Sequence, residues 1–126
     1  MANQFDVHVV TAHLGAYNGA KELPLVYVPA KGGGITILDA QLVGPAAGTV
    51  IGGLLVKMTD AGTPAISGTI GAFAGTVVTA AGVPAELTIA TAFVDDGNWI
   101  GFDQTSGTVP AGTFINIAYV RKHFLQ

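Results

Sequence analysis

The segment 85–104, AELTIATAFVDDGNWIGFDQ, is the part of this sequence that most clearly indicates a fold. Along 85–94, the apolar residues Leu87, Ile89 and Phe93 at odd positions face one way and Glu86 and Thr88 face the other, which is the period-two pattern of a β-strand. The tetrapeptide Asp95–Asn98 follows, and Asp, Gly and Asn tolerate the positive φ angles of tight turns. The pattern therefore predicts a hairpin whose second strand is 99–104.

The rest of the chain repeats this alternation of strand formers and turn residues. Its 126 residues include 18 Gly and 6 Pro, spread along the whole length. Segments rich in Val, Ile, Thr, Leu and aromatic residues lie between them and predict strands. These are 4–12, 23–28, 35–43, 49–58, 85–94, 99–104 and 113–122. Residues 66–80 could form one or two short strands or a wide loop, and 105–112 is predicted to be a turn.

No stretch of ten residues shows a helical apolar stripe. Several short strands at this spacing are typical of an antiparallel sandwich. We therefore expect an all-β protein, an antiparallel β-sandwich that is jelly-roll-like and has about eight strands. Residues 1–20 are expected to form an N-terminal strand or arm, and residues 21–126 a single β-sandwich domain.

The composition excludes several classes of protein. Half of the residues are hydrophobic and 10% are charged, against about 25% charged in an average domain, so a disordered chain is not expected. The net charge is 5 − 8 = −3, and five basic residues do not supply the positive surface that a nucleic-acid partner requires. There is no Cys, which excludes disulfides and thiolate chemistry.

The mean hydropathy of +0.56 is high, so a membrane span has to be considered. The most apolar stretch, 68–84, is interrupted by four Gly and three Thr and fits a span poorly. The first ten residues lack the basic start and apolar block of a signal peptide. We expect a protein made in the cytoplasm, with no membrane partner, whose apolar surface contacts other chains.

No catalytic or cofactor-binding residues are predicted. The run Gly32–Gly34 leads into a strand rather than a helix, which does not fit a phosphate-binding loop. Ser67 and Ser106 lie in turns and not in a Gly-x-Ser-x-Gly elbow. We therefore expect a protein that is not an enzyme, although a small jelly-roll enzyme with His and carboxylates converging in a pocket is an alternative.

No metal site is predicted either. Asp6 and His8 share one face of the first strand, with His13 and His123 as further possible ligands, but their spacings do not match metal-binding pairs. Asp95–Asn98 could bind Ca²⁺, yet it lacks the remainder of a twelve-residue calcium loop. A solvated turn is the preferred interpretation of this tetrapeptide.

The aromatic residues are expected to pack in a core or an interface. Trp99 begins a predicted strand, and Phe102 follows at a spacing of three residues. Tyr17, Tyr27 and Tyr119 are scattered along the chain. A sugar-binding β-sandwich with an exposed aromatic platform is the alternative.

Apolar residues on both faces are a further feature of three predicted strands, 35–43, 49–58 and 113–122. A half-exposed antiparallel sheet normally alternates apolar and polar residues. We therefore expect the second face of these strands to be covered by a neighbouring subunit, another protein or the termini of the chain.

Four motifs resemble those of small β-rich proteins of tailed bacteriophages. They are Tyr27–Ala30, Gly32–Ile37, Asp95–Gly101 and Ile115–Val120. Within that group the chain is similar to capsid decoration proteins, also called cement proteins, and the likeness covers most of residues 25–120. The motifs are turns and strands, and they bring no catalytic residue with them.

The resemblance implies a viral structural protein that binds the capsid exterior and stabilises the head. It implies a homo-oligomer, a trimer by analogy, whose partner is the major capsid protein and whose location is the virion surface. The candidate interface residues are Phe5, Val7 and Val9 near the N-terminus and Tyr119, Arg121 and Phe124 near the C-terminus. A head-fibre or tail component is an alternative role.

Overall fold

The computed structural model describes residues 7–18, 21–30, 33–44, 49–73, 77–79 and 84–121. These residues form one connected sheet without any helix, and every pairing in it is antiparallel. The all-β, antiparallel prediction is therefore confirmed. The strands are β1 (His8–His13), β2 (Tyr17–Asn18), β3 (Lys21–Tyr27), β4 (Ile35–Val43), β5 (Thr49–Met58), β6 (Ile66–Phe73), β7 (Val77–Thr79), β8 (Ala85–Ile89), β9 (Phe93–Val94), β10 (Trp99–Val109) and β11 (Phe114–Arg121).

The eleven strands occupy eight rows of the sheet. β2 and β3 both pair with β10, β6 and β7 both pair with β5, and β8 and β9 both pair with β4. The rows follow the order β1, β11, β4, β8/β9, β6/β7, β5, β10 and β2/β3. The two outermost rows come close to each other where β1 approaches β3, so the sheet is rolled up almost to closure.

Most strand bounds lie within two residues of the sequence prediction, and β4 and β5 match it at both ends. The predicted turn over residues 105–112 is wrong, because β10 continues to Val109. An irregularity in the pairing of β10 with β5 skips Thr105, and such bulges bend a strand without ending it. The turn itself begins at Pro110.

The predicted hairpin around residues 95–98 is also wrong. The turn is present, and Gly97 has a φ of 82°, but β9 pairs with β4 while β10 pairs with β5 and β3. The backbone groups of the turn bond to the end of β3 instead: Gly97 N donates to Val28 O at 2.8 Å, and Val28 N donates to Asn98 O at 2.9 Å. The turn therefore carries the chain from one part of the sheet to another.

The core lies inside the rolled sheet. Its largest buried side chains come from strands distributed over the whole order, and they include Phe102, Ile37, Leu42, Leu55, Ile70, Ile100, Ile115 and Ile117. Phe102 packs at 6.1 Å, centroid to centroid, from the ring of Phe73. Each isoleucine or leucine of this kind contributes about 1.5–3 kcal/mol of burial free energy.

A bulge in β4 corrects the expectation of two apolar faces there. The register against β11 places Ala118 opposite Asp39 and Tyr119 opposite Ile37, which leaves Leu38 as the extra residue. The side-chain alternation resets at this point, so Ile37 and Ala40 both face the core. The outward side of β4 is consequently mostly polar, with Leu38 as an exposed exception.

The second face of β5 is covered within the chain. Val56 and Met58 are each 1% exposed but lie outside the main core cluster, because they point away from Leu55 in the alternation of the strand. Met58 is the cross-strand partner of Trp99 and lies against Gly101. The sequence predicted that a neighbouring subunit, another protein or the termini would cover the second face of this strand, and for Val56 and Met58 the chain itself provides the cover.

Candidate functional site

The outward side of β1, β11 and β4 carries most of the exposed large hydrophobic side chains of the described residues. Among the described residues, four large hydrophobic side chains are exposed, and three of them are here: Val7 at 58%, Val9 at 65% and Leu38 at 46%. Val9 is opposite Ala118, which is opposite Asp39, and Leu38 adjoins Asp39. Adjacent strands are about 4.8 Å apart, so Val9 and Leu38 lie roughly 10 Å from each other. We call this surface the β1–β11–β4 face.

A shallow depression of about 200 Å³ lies in the middle of this face. Its lining consists of Val9 from β1, Asn116 and Ala118 from β11, and Asp39, Ala40 and Gln41 from β4. The small side chain of Ala118 leaves a notch between the flanking strands. The face therefore combines projecting apolar side chains with a recess.

Hydrogen bonds fix the polar part of the face. Thr11 Oγ1 donates to Asn116 Oδ1 at 2.6 Å, and Gln41 Nε2 donates to Glu86 Oε2 at 3.2 Å. The Asp39 carboxylate accepts the backbone N–H of Ala40 at 2.9 Å, at the bulge. These bonds hold the polar groups in place before any partner arrives.

The charge on this face is negative. Asp39 supplies one carboxylate. Glu86 supplies a second one at the edge of the face, because this residue of β8 is the cross-strand partner of the outward-facing Gln41. The described lysines and arginine lie elsewhere, and His13 is the described histidine on the outward side of β1. Lys21 and Lys57 belong to β3 and β5, and Arg121 follows the inward alternation of β11.

Among the predicted interface residues, Val7 and Val9 lie on this face, but Tyr119 and Arg121 do not. Tyr119 packs against the core and its ring lies 5.3 Å from that of His8, with an angle of 26° between the planes. Tyr119 and Arg121 line a small cavity. Its other lining residues are Ile35 and residues 26–29, which lie at the end of β3 and just after it. Phe5 and Phe124 lie outside the described residues.

The sequence analysis missed Leu38 and Asp39. If β4 alternated regularly, Leu38 would belong to a continuous apolar second face, and this is what the sequence predicted. The bulge that exposes Leu38 has no clear mark in the sequence, because the local residues contain neither Gly nor Pro. Only the register of β4 against β11 reveals it.

A second cluster joins Tyr27, Trp99 and Asp60 on another part of the sheet. The rings of Tyr27 and Trp99 are 5.3 Å apart and tilted by 57°, and both side chains are partly exposed. The Tyr27 hydroxyl donates to Asp60 Oδ2 at 3.0 Å. That hydrogen bond, followed by desolvation and the negative charges of Asp60 and Asp96, raises the pKa of Tyr27 above its usual value.

The histidines do not converge on a common site in the described chain. His8 stacks on Tyr119, whereas His13 is exposed and lies beside Phe114 on the opposite side of β1. Within the described ranges, no group of three or more His, Cys, Asp or Glu side chains could hold a metal ion. Asp6 and His123, the other ligands considered, lie outside those ranges.

Over the same part of the chain, no helix is long and apolar enough to cross a membrane. Comparison with protein-family models, curated proteins and solved structures found no match for this chain.

Proposed function

We propose that this protein is a jelly-roll decoration protein that binds the exterior of a viral capsid and stabilises it without catalysing a reaction. The observation that supports it best is the order of the eight rows. Here the rows are numbered by their order along the chain, which is β1, β2/β3, β4, β5, β6/β7, β8/β9, β10 and β11. In this numbering the first row pairs with the eighth, the second with the seventh, the third with the sixth and the fourth with the fifth. That nesting matches the winding expected of a jelly roll and so supports the proposed fold, which is common in viral capsid proteins and lectins.

The surface chemistry also supports a structural role. The most exposed apolar side chains cluster on one face, as expected for a site that contacts another protein. The depression on the β1–β11–β4 face is shallow and open, which suits contact with the surface of another protein. The fold, this surface and the resemblance to phage decoration proteins together support the proposed role.

The mechanism of stabilisation is thermodynamic linkage. A protein that binds only the assembled shell lowers the free energy of that shell, by about 2.7 kcal/mol per site when its free concentration is 100 times Kd. A homo-oligomer, which we propose to be a trimer, would engage several neighbouring capsid subunits at once. Linked weak contacts of this kind gain avidity from their effective concentration.

The test compares particles that carry the protein with particles from which the gene has been deleted. Both are heated in steps, and the release of the packaged genome is followed by a DNA-binding dye. The proposal predicts release at a lower temperature from the particles that lack the protein. Equal release temperatures would exclude a stabilising role and favour a fibre or tail location.

The Tyr27–Trp99–Asp60 cluster favours a second candidate, a sugar-binding module. Aromatic rings and a carboxylate are groups that bind sugars through stacking and hydrogen bonds. The rings are tilted and contact each other, which leaves less flat surface than a coplanar platform. Titration of Trp99 fluorescence with a panel of oligosaccharides tests this candidate, and a saturable change that is lost in Tyr27→Ala would support it.

A further inference from the structure

We infer that the β1–β11–β4 face is the surface with which this protein docks, and that its occupant is a protein surface presenting an apolar side chain within a basic rim. The inference rests on the proposed function, because it assigns the docking surface for the capsid partner. It adds Leu38 and Asp39 to the contact and removes Tyr119 and Arg121 from it.

The apolar part of the occupant follows from the shape of the face. Val9 and Asp39 line opposite sides of a recess above Ala118, and the exposed Leu38 adjoins Asp39 on β4. Tight interfaces bury a few projecting side chains in pockets and surround them with polar contacts. The recess, at about 200 Å³, can accept one apolar side chain of the partner, while Val9 and Leu38 pack against the partner beside it.

The basic rim follows from charge. The face carries Asp39 and Glu86, and the described lysines and arginine lie on other parts of the molecule. Two copies of this face pressed together would bring like charges close to each other, which disfavours a second copy as the occupant. Lys or Arg side chains around the partner's apolar residue would complement both carboxylates.

The hydrogen bonds of the face support a prepared surface. The Asp39 carboxylate accepts the Ala40 N–H and the Glu86 carboxylate accepts from Gln41 Nε2, so each carboxylate has a partner within the chain that restricts its orientation. Groups that are already ordered lose less conformational entropy when a partner binds. The bulge that exposes Leu38 also positions Asp39, so a single irregularity of β4 provides one apolar and one charged contact.

The experiment measures co-sedimentation of purified protein with capsid shells that lack it. Val9→Asp and Leu38→Asp each place a charge in the apolar part, and each should weaken binding by at least about tenfold. Ile66→Asp is the matched control, because Ile66 is also an exposed large hydrophobic residue but belongs to β6. It should bind like the wild type. Circular dichroism of each variant checks that the fold is retained.

A charge variant tests the rim separately. Asp39→Asn together with Glu86→Gln removes both charges and keeps oxygen atoms that can accept the same hydrogen bonds. Binding of the wild type should weaken as salt is raised, and the double variant should show a smaller dependence on salt. The same slope in both proteins would overturn the basic-rim assignment.

The other outcomes distinguish the inference from the proposed function. Equal binding of wild type, Val9→Asp and Leu38→Asp would preserve the decoration role and refute this docking face. Failure of the wild type to bind shells would refute both. If Val9→Asp loses shell binding and light scattering also gives it a lower oligomer mass than the wild type, a second copy of this chain occupies the face. That result would overturn the assignment.

Discussion

Substitution of Gly53 by Ala tests whether the core is packed as described. Gly53 lies on β5 and is buried, and a Cβ added to it would overlap the Phe102 ring at Cζ and Cε1 and lie 3.2 Å from Cε2. Ordinary carbon contacts are about 3.5–4.0 Å. Phe102 is 0% exposed and packs against Phe73, so its ring has little room to move away.

The expected cost is about 2–3 kcal/mol, in the upper part of the range for overpacked cores. With about 4 °C lost per kcal/mol in a domain of this size, the thermal midpoint should fall by roughly 10 °C. Urea denaturation followed by tryptophan fluorescence should show a midpoint lower by about 1 M or more. Gly62→Ala is the control, because no atom lies within 4 Å of its added Cβ, and it should change stability by less than about 0.5 kcal/mol.

A double variant identifies the cause of the loss. Phe102→Leu removes the ring atoms that the new methyl group would meet, so Gly53→Ala should cost less in the Phe102→Leu background than alone. Residues in direct contact typically show coupling of about 0.5–3 kcal/mol. Equal stability of Gly53→Ala and Gly62→Ala, or strict additivity with Phe102→Leu, would refute the packing described for β5 and β10.

Three further predictions follow from other parts of the molecule. Tyr27 should ionise at a higher pH than an ordinary tyrosine, because its pKa is raised in the folded state. The stability that this shift gives the folded protein is present below about pH 10 and is lost as the pH rises through the raised pKa. Alkaline difference spectra of wild type and Tyr27→Phe measure this, and Asp60→Asn should move the transition back toward the usual value. Ile117→Ala should cost about 2–5 kcal/mol in urea denaturation, because Ile117 is 0% exposed, whereas Val120→Ala on the outward side of β11 should cost less than about 1 kcal/mol; similar losses would contradict the assignment of the two faces. Light scattering at micromolar concentration should give a mass well above 12.7 kDa, and a monomer would count against the proposed trimer.

The sequence allowed the elements of this fold to be predicted better than their pairing. Alternation and turn residues located β4 and β5 to the residue, because side-chain periodicity is a local property. The partner of a strand is not local: Asp95–Asn98 forms a turn, yet the strands that flank it pair with distant rows. The hydrogen bonds between this turn and Val28 depend on where β3 ends, which the turn sequence does not encode.

The same limit explains what could be predicted of the candidate site. Val7 and Val9 alternate with His8 and Val10, so the sequence places both valines on the same side of β1, and the structure shows that this side is the outward one. Leu38 is exposed because β4 bulges against β11, and Tyr119 packs inward because it shares the parity of Ile115 and Ile117. Exposure at a bulge depends on the register between two strands, so the sequence of either strand alone does not reveal it.

An add-back titration tests the central proposal most directly. Particles that lack the protein are mixed with increasing concentrations of the purified wild type, and the temperature of genome release is measured at each concentration. If the protein stabilises the shell by binding it, the release temperature should rise with the logarithm of free protein above Kd, with a fixed number of copies bound at saturation. A release temperature that stays constant while the protein binds, or an absence of binding, would contradict the proposal.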